Sequence, residues 1–201
     1  MNLYRSQILD EVNLASFIEK GSPALFPTDT VPALASSPEF ASQLWRIKQR
    51  PSNKPLILMG SSEESLFRHV QPFALNDAIL MAKLYWPGPL TLVLPIIPSK
   101  IFSNLNKFST DLGMRVPASA VARSLLLKTG PLATTSANLS GKEPSLNPEE
   151  LSLEFPDVKL LGPLPWEIGS GLASTVISWK KPGLWNLLRE GAFLPDQAFL
   201  G

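Results

Sequence analysis

The chain has 201 residues, 44% hydrophobic and 17% charged, and its 18 Lys and Arg nearly balance 17 Asp and Glu. That length favours one domain, with two small ones possible, and supports a substantial core without covalent staples. The composition excludes a wholly disordered chain and a strongly basic nucleic-acid arm, while a local basic groove stays compatible with a balanced total.

The elements follow from pattern. Asp10 to Lys20 carries Val12, Leu14, Ala15, Phe17 and Ile18 at helical spacing and ends at Gly21. Ala24-Leu25-Phe26 before Pro27 reads as a buried strand. Pro38 to Lys48 reads as a helix with Phe40, Leu44, Trp45 and Ile47 inward. Leu56 to Met59 reads as a buried strand, and Ser62 to Arg68 and Asn76 to Tyr85 as helices. Leu90 to Leu94 and Leu112 to Val116 are predicted strands, followed by a helix over Ala118 to Lys128 that Gly130 ends. Leu132 to Thr135 is a strand running into a polar loop. Asn147 to Leu153 is a helix with Asn147 as cap and Pro148 in its first position. Val158–Leu161, Ser174–Trp179 and Trp185–Leu188 are the late strands. Interleaved strands and helices predict an α/β or α+β class with one main sheet. Twenty prolines, about twice the usual share, are spread along the chain and predict short elements with tight entries and exits. The tail after Gly191 is expected to be loosely held.

Several chemistries are closed by what is missing. There is no cysteine, so no disulfide, thiolate zinc site or cysteine nucleophile. A Ser–His–Asp triad would have to use His69, the single histidine, which reads as a helix-end residue. The longest charge-free stretch, Leu84 to Ser99, is too short for a membrane span and holds four prolines. Met1 to Gln7 has no apolar run suited to secretion. Gly169-Ser170-Gly171-Leu172-Ala173-Ser174 is one residue short of a dinucleotide fingerprint and precedes a strand rather than a helix. No phosphate-cradling P-loop, glycosidase carboxylate pair or metal-ligand spacing is present.

Three polar groups remain. Pro27-Thr28-Asp29-Thr30 follows a strand, where crevices open in α/β sheets; an Asx or Thr turn explains it equally. Lys48-Gln49-Arg50-Pro51-Ser52-Asn53-Lys54-Pro55 puts three cations within seven residues at a helix end. A helix dipole accounts for one or two; three pinned by prolines suit a polyphosphate. Thr134 to Gly141 sets small hydroxyl residues and a glycine after a strand, as loops that bind phosphate or ribose do, or as an ordinary turn. Asn138-Leu139-Ser140 also formally matches a glycosylation acceptor.

Taken in order, these segments carry a resemblance. With Lys48-x-Arg50-Pro51-x-x-Lys54-Pro55-Leu56 go Trp86-Pro87-Gly88-Pro89-Leu90-Thr91, Arg115-Val116-Pro117, Ser174-Thr175-Val176 and Leu188-Arg189-x-Gly191. The chain resembles the YrdC-like domain family over roughly Ser6 to Gly191, as a single domain spanning 1–201. The resemblance implies an open twisted mixed sheet with helices packed around it and a basic concave groove. It implies synthesis of threonylcarbamoyl-AMP and pyrophosphate from L-threonine, bicarbonate and ATP, with magnesium. The product would serve tRNA threonylcarbamoyl-transfer machinery in the cytoplasm, and family members are described as binding double-stranded RNA. By matching positions, Thr28, Thr30 and Thr134 would hold threonine and Arg115 its carboxylate. Lys48, Arg50 and Lys54 would meet phosphates, and Ser136, Asn138, Ser145 and Arg189 the rest of the nucleotide. Lys48, Arg50 and Arg115 are the expected catalytic residues, and Lys48, Arg50, Lys54, Arg115 and Arg189 are expected to face one cavity. No resident metal ligand is expected. The chain departs from the family pattern at Pro32-Ala33, where Tyr-Gly is usual, at Ala118-Ser119, where a histidine is common, and at Met59. These departures keep two other readings open: a paralogue that binds nucleotide or double-stranded RNA without the chemistry, and an enzyme using a different amine.

Overall fold

A computed structural model describes residues 6–99, 102, 105–106 and 109–201; residues 1–5 of the N-terminal stretch read above lie outside the described residues. The ten described strands form one mixed sheet. They are β1 (Ile8–Leu9), β2 (Ala24–Phe26), β3 (Ala33–Ser36), β4 (Ile57–Met59), β5 (Leu90–Pro95), β6 (Asp111–Arg115), β7 (Leu132–Ser136), β8 (Lys159–Leu161), β9 (Thr175–Lys181) and β10 (Leu184–Arg189). Their spatial order is β1-β8-β2-β3-β7-β4-β6-β5-β9-β10. The centre is antiparallel from β2 through β3 and β7 to β4, then parallel to β6.

The helices are α1 (Glu11–Glu19), α2 (Ser42–Ile47), α3 (Glu63–Phe67), α4 (Pro72–Tyr85), α5 (Ala120–Thr129) and α6 (Pro148–Glu154). Their caps are local chemistry. Asp10, Ser62, Ser119 and Asn147 each accept a backbone N–H of the first turn. Gly130, at φ 73, ends α5. Gln7 donates to carbonyls at the end of α6, including Pro156 O at 2.8 Å, and so satisfies acceptors a helix terminus leaves open.

Strand alternation splits the core into two layers. Leu25, Leu34, Leu58, Leu92 and Met114 turn to one face and join Leu44, Trp45, Leu66, Met81 and Leu151 of α2, α3, α4 and α6. Ala24, Phe26, Ala35 and Leu161 turn to the other face and meet Leu14 and Ile18 of α1 and Leu125 and Leu126 of α5. Those two helices cover only part of that second face. The remainder, over β4, β5, β6, β7 and β9, is bare and becomes the floor of a cavity.

Some expectations need correction. In α1, Val12 is 66% exposed and Phe17 39% exposed; the buried stripe is Leu14, Ala15 and Ile18, the narrow seam that α5 can cover. The helix read from Pro38 is a 3-10 turn over Pro38–Phe40 followed by α2, and Phe40 is exposed. α4 starts at Pro72, not Asn76, because proline fits the first helical position. β1, two residues paired with β8, and β3 are further strands; β3 lacks the β-branched signature, and pairing on both sides holds it. The tail after Gly191 is tied rather than loose. Gly201 N–H donates to Trp185 O, Asp196 N–H to the Tyr85 hydroxyl, and Thr175 Oγ1 to Phe193 O.

Candidate active site

The bare half of the sheet and the turn after β2 enclose a cavity of about 510 Å³, within the range of small-molecule sites. Thr28, Thr30, Pro32, Ala33, Arg50, Met59, Thr91, Asp111, Gly113, Arg115, Thr134, Ser136, Ser174 and Arg189 are among its lining residues. Among the described lining residues, three arginines therefore stand against one carboxylate, Asp111.

Each wall has a local cause. The Thr28–Thr30 turn is self-bonded: Thr28 Oγ1 donates to Val31 O at 2.7 Å and accepts the Thr30 N–H at 3.1 Å. A second loop straps it from outside. Ser170 N–H donates to Asp29 O and Gly171 N–H to Thr30 O, both at 3.0 Å. Gly169 leaves no room for a side chain, since a Cβ there would lie 2.6 Å from Thr28 O and closer still to Thr30 O. The near-miss glycine motif is thus a clamp for the turn.

Arg115 is 3% exposed and its fork is fixed on three sides. Nε donates to Gly88 O at 3.0 Å, Nη1 to Thr30 Oγ1 at 2.8 Å, and Nη2 to Asp29 Oδ1 at 2.7 Å. Burial pushes its pKa down, and the Asp29 charge opposes that; the guanidinium stays charged. Asp29 Oδ1 also accepts the Ala118 N–H at 2.9 Å, so one carboxylate joins the turn, β6 and the start of α5. Asp29 Oδ2 is buried without a partner.

The basic stretch divides at a Schellman turn. Gln49, at φ 51, takes the left-handed position usually given to glycine; Gln49 N–H bonds Arg46 O and Arg50 N–H bonds Trp45 O. The two cations flanking it leave in different directions. Lys48 goes under the floor, 1% exposed. Its Nζ donates to Ser136 O, to Asn138 Oδ1 at 3.1 Å and to Ser136 Oγ at 3.3 Å. Burial first, and Arg50 second, lower its pKa to about 7. Arg50 goes up into the cavity. It donates to Pro55 O at 3.2 Å, its Nε is buried without a partner, and burial and Arg189 lower its pKa. Arg189 donates twice to Ser174 O, at 2.8 and 3.1 Å. Neither Arg50 nor Arg189 has a carboxylate partner among the described residues.

Of the expected site residues, Thr28, Thr30, Arg50, Arg115, Thr134, Ser136 and Arg189 line this cavity, and Lys48, Lys54, Asn138 and Ser145 do not. Asn138 is buried beneath it and fully engaged: Oδ1 accepts from Lys48 and from Ser136 Oγ, and Nδ2 donates to Leu139 O and Lys142 O. That arrangement also leaves Asn138 unavailable as a glycosylation acceptor. Lys54 is exposed. Ser145 donates to Glu150 at 2.6 Å on the loop before α6. His69 lies outside the cavity with its ring edge on Phe102, so no triad forms there. Thr91 and Ser174, bonded at 2.8 Å, and Asp29 were not assigned roles from sequence. The signal for the floor was available: Asp111, Gly113 and Arg115 alternate along one strand, whose other residues are apolar.

Comparison with known proteins sets this geometry in context. The Sua5/YciO/YrdC family, described as telomere recombination, matches residues 16–191. The threonylcarbamoyl-AMP synthase of Bos taurus is 33% identical over 190 residues, covering 88% of this chain and 66% of that protein. The one from Pyrococcus abyssi is 34% identical over 148 residues, covering 70% of this chain and 42% of that protein. The chain thus spans 42–66% of the length of these curated relatives. The structure is similar to P. abyssi Sua5 complexed with L-threonine, at TM-score 0.80 and 30% identity over 90% of this chain and 54% of that one. It is also similar to E. coli YciO, at TM-score 0.80 and 25% identity over 96% of this chain and 97% of that one.

Proposed function

The chain belongs to the Sua5/YciO/YrdC family, and on that premise we propose that it forms threonylcarbamoyl-AMP from L-threonine, bicarbonate and ATP. The observation that carries the reading is the single cavity that brings together Thr30, Arg115, Arg50, Ser136 and Arg189. An amino-acid carboxylate suits Arg115, whose fork is already oriented by Asp29 and Gly88. Phosphate oxygens suit Arg50 and Arg189, two desolvated cations without counterions. Threonine and bicarbonate give a carbamate with loss of water. A carbamate oxygen then attacks the α-phosphorus in line, the bond to the bridging oxygen breaks, and pyrophosphate leaves with that electron pair. The protein's part is positioning and charge stabilisation, with the arginines held before the substrates arrive. Lys48 acts here from below, fixing Ser136 and Asn138.

Among the described residues no group of three or more acidic or histidine side chains is placed to hold a metal ion. Magnesium therefore enters this reading with the nucleotide, as part of the ATP substrate. No helix among the described residues is long and apolar enough to cross a membrane, and we assign the activity to the cytoplasm, in service of tRNA threonylcarbamoyl transfer.

One observation favours a second reading. Pro32 and Ala33 form part of the cavity wall, and neither offers the ring or hydroxyl of a tyrosine. A groove that binds nucleotide or double-stranded RNA without the chemistry would keep the arginines and lose that wall. Pyrophosphate release from ATP, measured with bicarbonate and each candidate amino acid, separates the readings. Release that requires both L-threonine and bicarbonate is expected; ATP binding without any amino-acid-dependent release would establish the second reading.

A further inference from the structure

Asp111, Gly113 and Arg115 are alternate residues of β6, and all three line the cavity. Strand geometry separates Asp111 from Arg115 by about 13 Å along the floor. The backbone of Asp111 is pinned: its N–H donates to Ser109 Oγ at 3.0 Å, and Asn106 Nδ2 donates to its carbonyl at 2.9 Å. Its carboxylate takes no hydrogen bond or ion pair among the described residues. The other charged groups lining the cavity make their contacts away from Asp111, Arg50 with Pro55 O, Arg189 with Ser174 and Arg115 with Asp29. Burial raises the pKa of Asp111. A partly desolvated carboxylate without a partner among the described residues calls for donors from whatever fills the cavity.

Register says what those donors would belong to. Thr134, Ile57 and Gly113 stand in one row across β7, β4 and β6. Ser136 and Asp111 each lie two residues further, on the same side of that row, and so two strands apart, about 10 Å. A phosphate held at Ser136 and Arg50 would set its ester-linked ribose on the floor past Pro55 and beside Gly113, toward Asp111. A Cβ at position 113 would meet Ile57 Cγ2 at 2.8 Å, so glycine keeps that floor low. Two vicinal hydroxyls are the donor pair that one carboxylate can hold with both oxygens.

We propose that Asp111 accepts hydrogen bonds from the 2′ and 3′ hydroxyls of the bound nucleotide's ribose and thereby selects ribonucleotides over deoxyribonucleotides. The inference rests on the reading of the cavity as an ATP site. The test is calorimetric titration of ATP, 2′-deoxyATP and 3′-deoxyATP into the wild type, Asp111→Ala and the near-isosteric Asp111→Asn, with a thermal melt of each protein. In the wild type, ATP binds about tenfold more tightly than either deoxynucleotide. Asp111→Ala weakens ATP about tenfold and brings the three nucleotides within about twofold of one another, and Asp111→Asn falls between. A wild type that binds ATP, with a nucleotide ranking that Asp111→Ala or Asp111→Asn leaves unchanged, overturns the assignment while the ATP reading stands. So does a ranking altered by base identity instead of by the hydroxyls, with ITP as the probe. A wild type that binds none of the nucleotides overturns the ATP reading itself, and this inference with it.

Discussion

Lys48 gives the sharpest quantitative test of how this site is built. Its ammonium is buried under the cavity floor, held by neutral acceptors on Ser136 and Asn138, and its pKa stands near 7 against an ordinary 10.5. Between those values the unfolded chain binds the proton and the folded chain does not, so stability rises with pH. Below the folded value both states are protonated, and the cost of the buried charge is present in full. Replacing Lys48 by Met keeps the aliphatic stem and removes the titration. Each pH unit between the two values is worth about 1.4 kcal/mol, so from a pH near 6 to one near 9.5 the wild type should gain on the order of 3 kcal/mol relative to Lys48→Met. Urea unfolding of both proteins at the two pH values measures this double difference, in which every other titrating group cancels. Unfolding free energies of wild type and variant that run parallel with pH would refute the reasoning, because they would mean that Lys48 stays charged at no cost.

The remaining predictions concern the cavity walls. Arg50→Ala should weaken ATP binding by about 1.5–3 kcal/mol, the loss of a charge-assisted contact; an unchanged calorimetric affinity would remove Arg50 from the phosphate site. With Pro32 and Ala33 in the wall, ATP binding should persist while L-threonine binds weakly, and the double variant Pro32→Tyr with Ala33→Gly should tighten threonine in titrations of the ATP-bound protein. Equal affinity before and after that change would show that Thr30 and main-chain groups already suffice. Gly169→Ala should push the Thr28–Thr30 turn off its clamp at a cost of about 1–3 kcal/mol, as overpacking does, and raise the KM for threonine more than that for ATP. An unfolding midpoint equal to the wild type's would mean that the turn yields freely.

Much of this was legible in the chain, for identifiable reasons. The caps at Asp10, Ser62 and Asn147 and the stop at Gly130 are local chemistry, written in one or two residues each. The arginines of the cavity were legible because each sits where an element ends. What failed was non-local. Nothing in Ala33-Leu34-Ala35-Ser36 announces a strand; its partners β2 and β7 make it one. Lys48 and Arg50 look alike in sequence, and a single left-handed residue between them sends one below the floor and the other above it. Asp29 was visible only as part of a turn, because its partner Arg115 is 86 residues away.

The half-covered sheet has a consequence for how such a chain can change over time. Ile57, Val93 and Gly113 look into the cavity, whereas their neighbours Leu58, Leu92, Leu112 and Met114 are fully buried against the helices behind. In β5 and β6, Val93 and Gly113 thus answer to the ligand and their even-numbered neighbours to the fold, while Met59 of β4 serves both. Mutational drift at the odd positions of β5 and β6 can reshape what the floor accepts while the apolar layer behind it, and the folding free energy it supplies, stays intact. A shift of register by one residue would exchange the two sets at once and ruin both. The ligand preferences of this architecture are therefore free to diversify by substitution and closed to diversification by single-residue insertion within these strands.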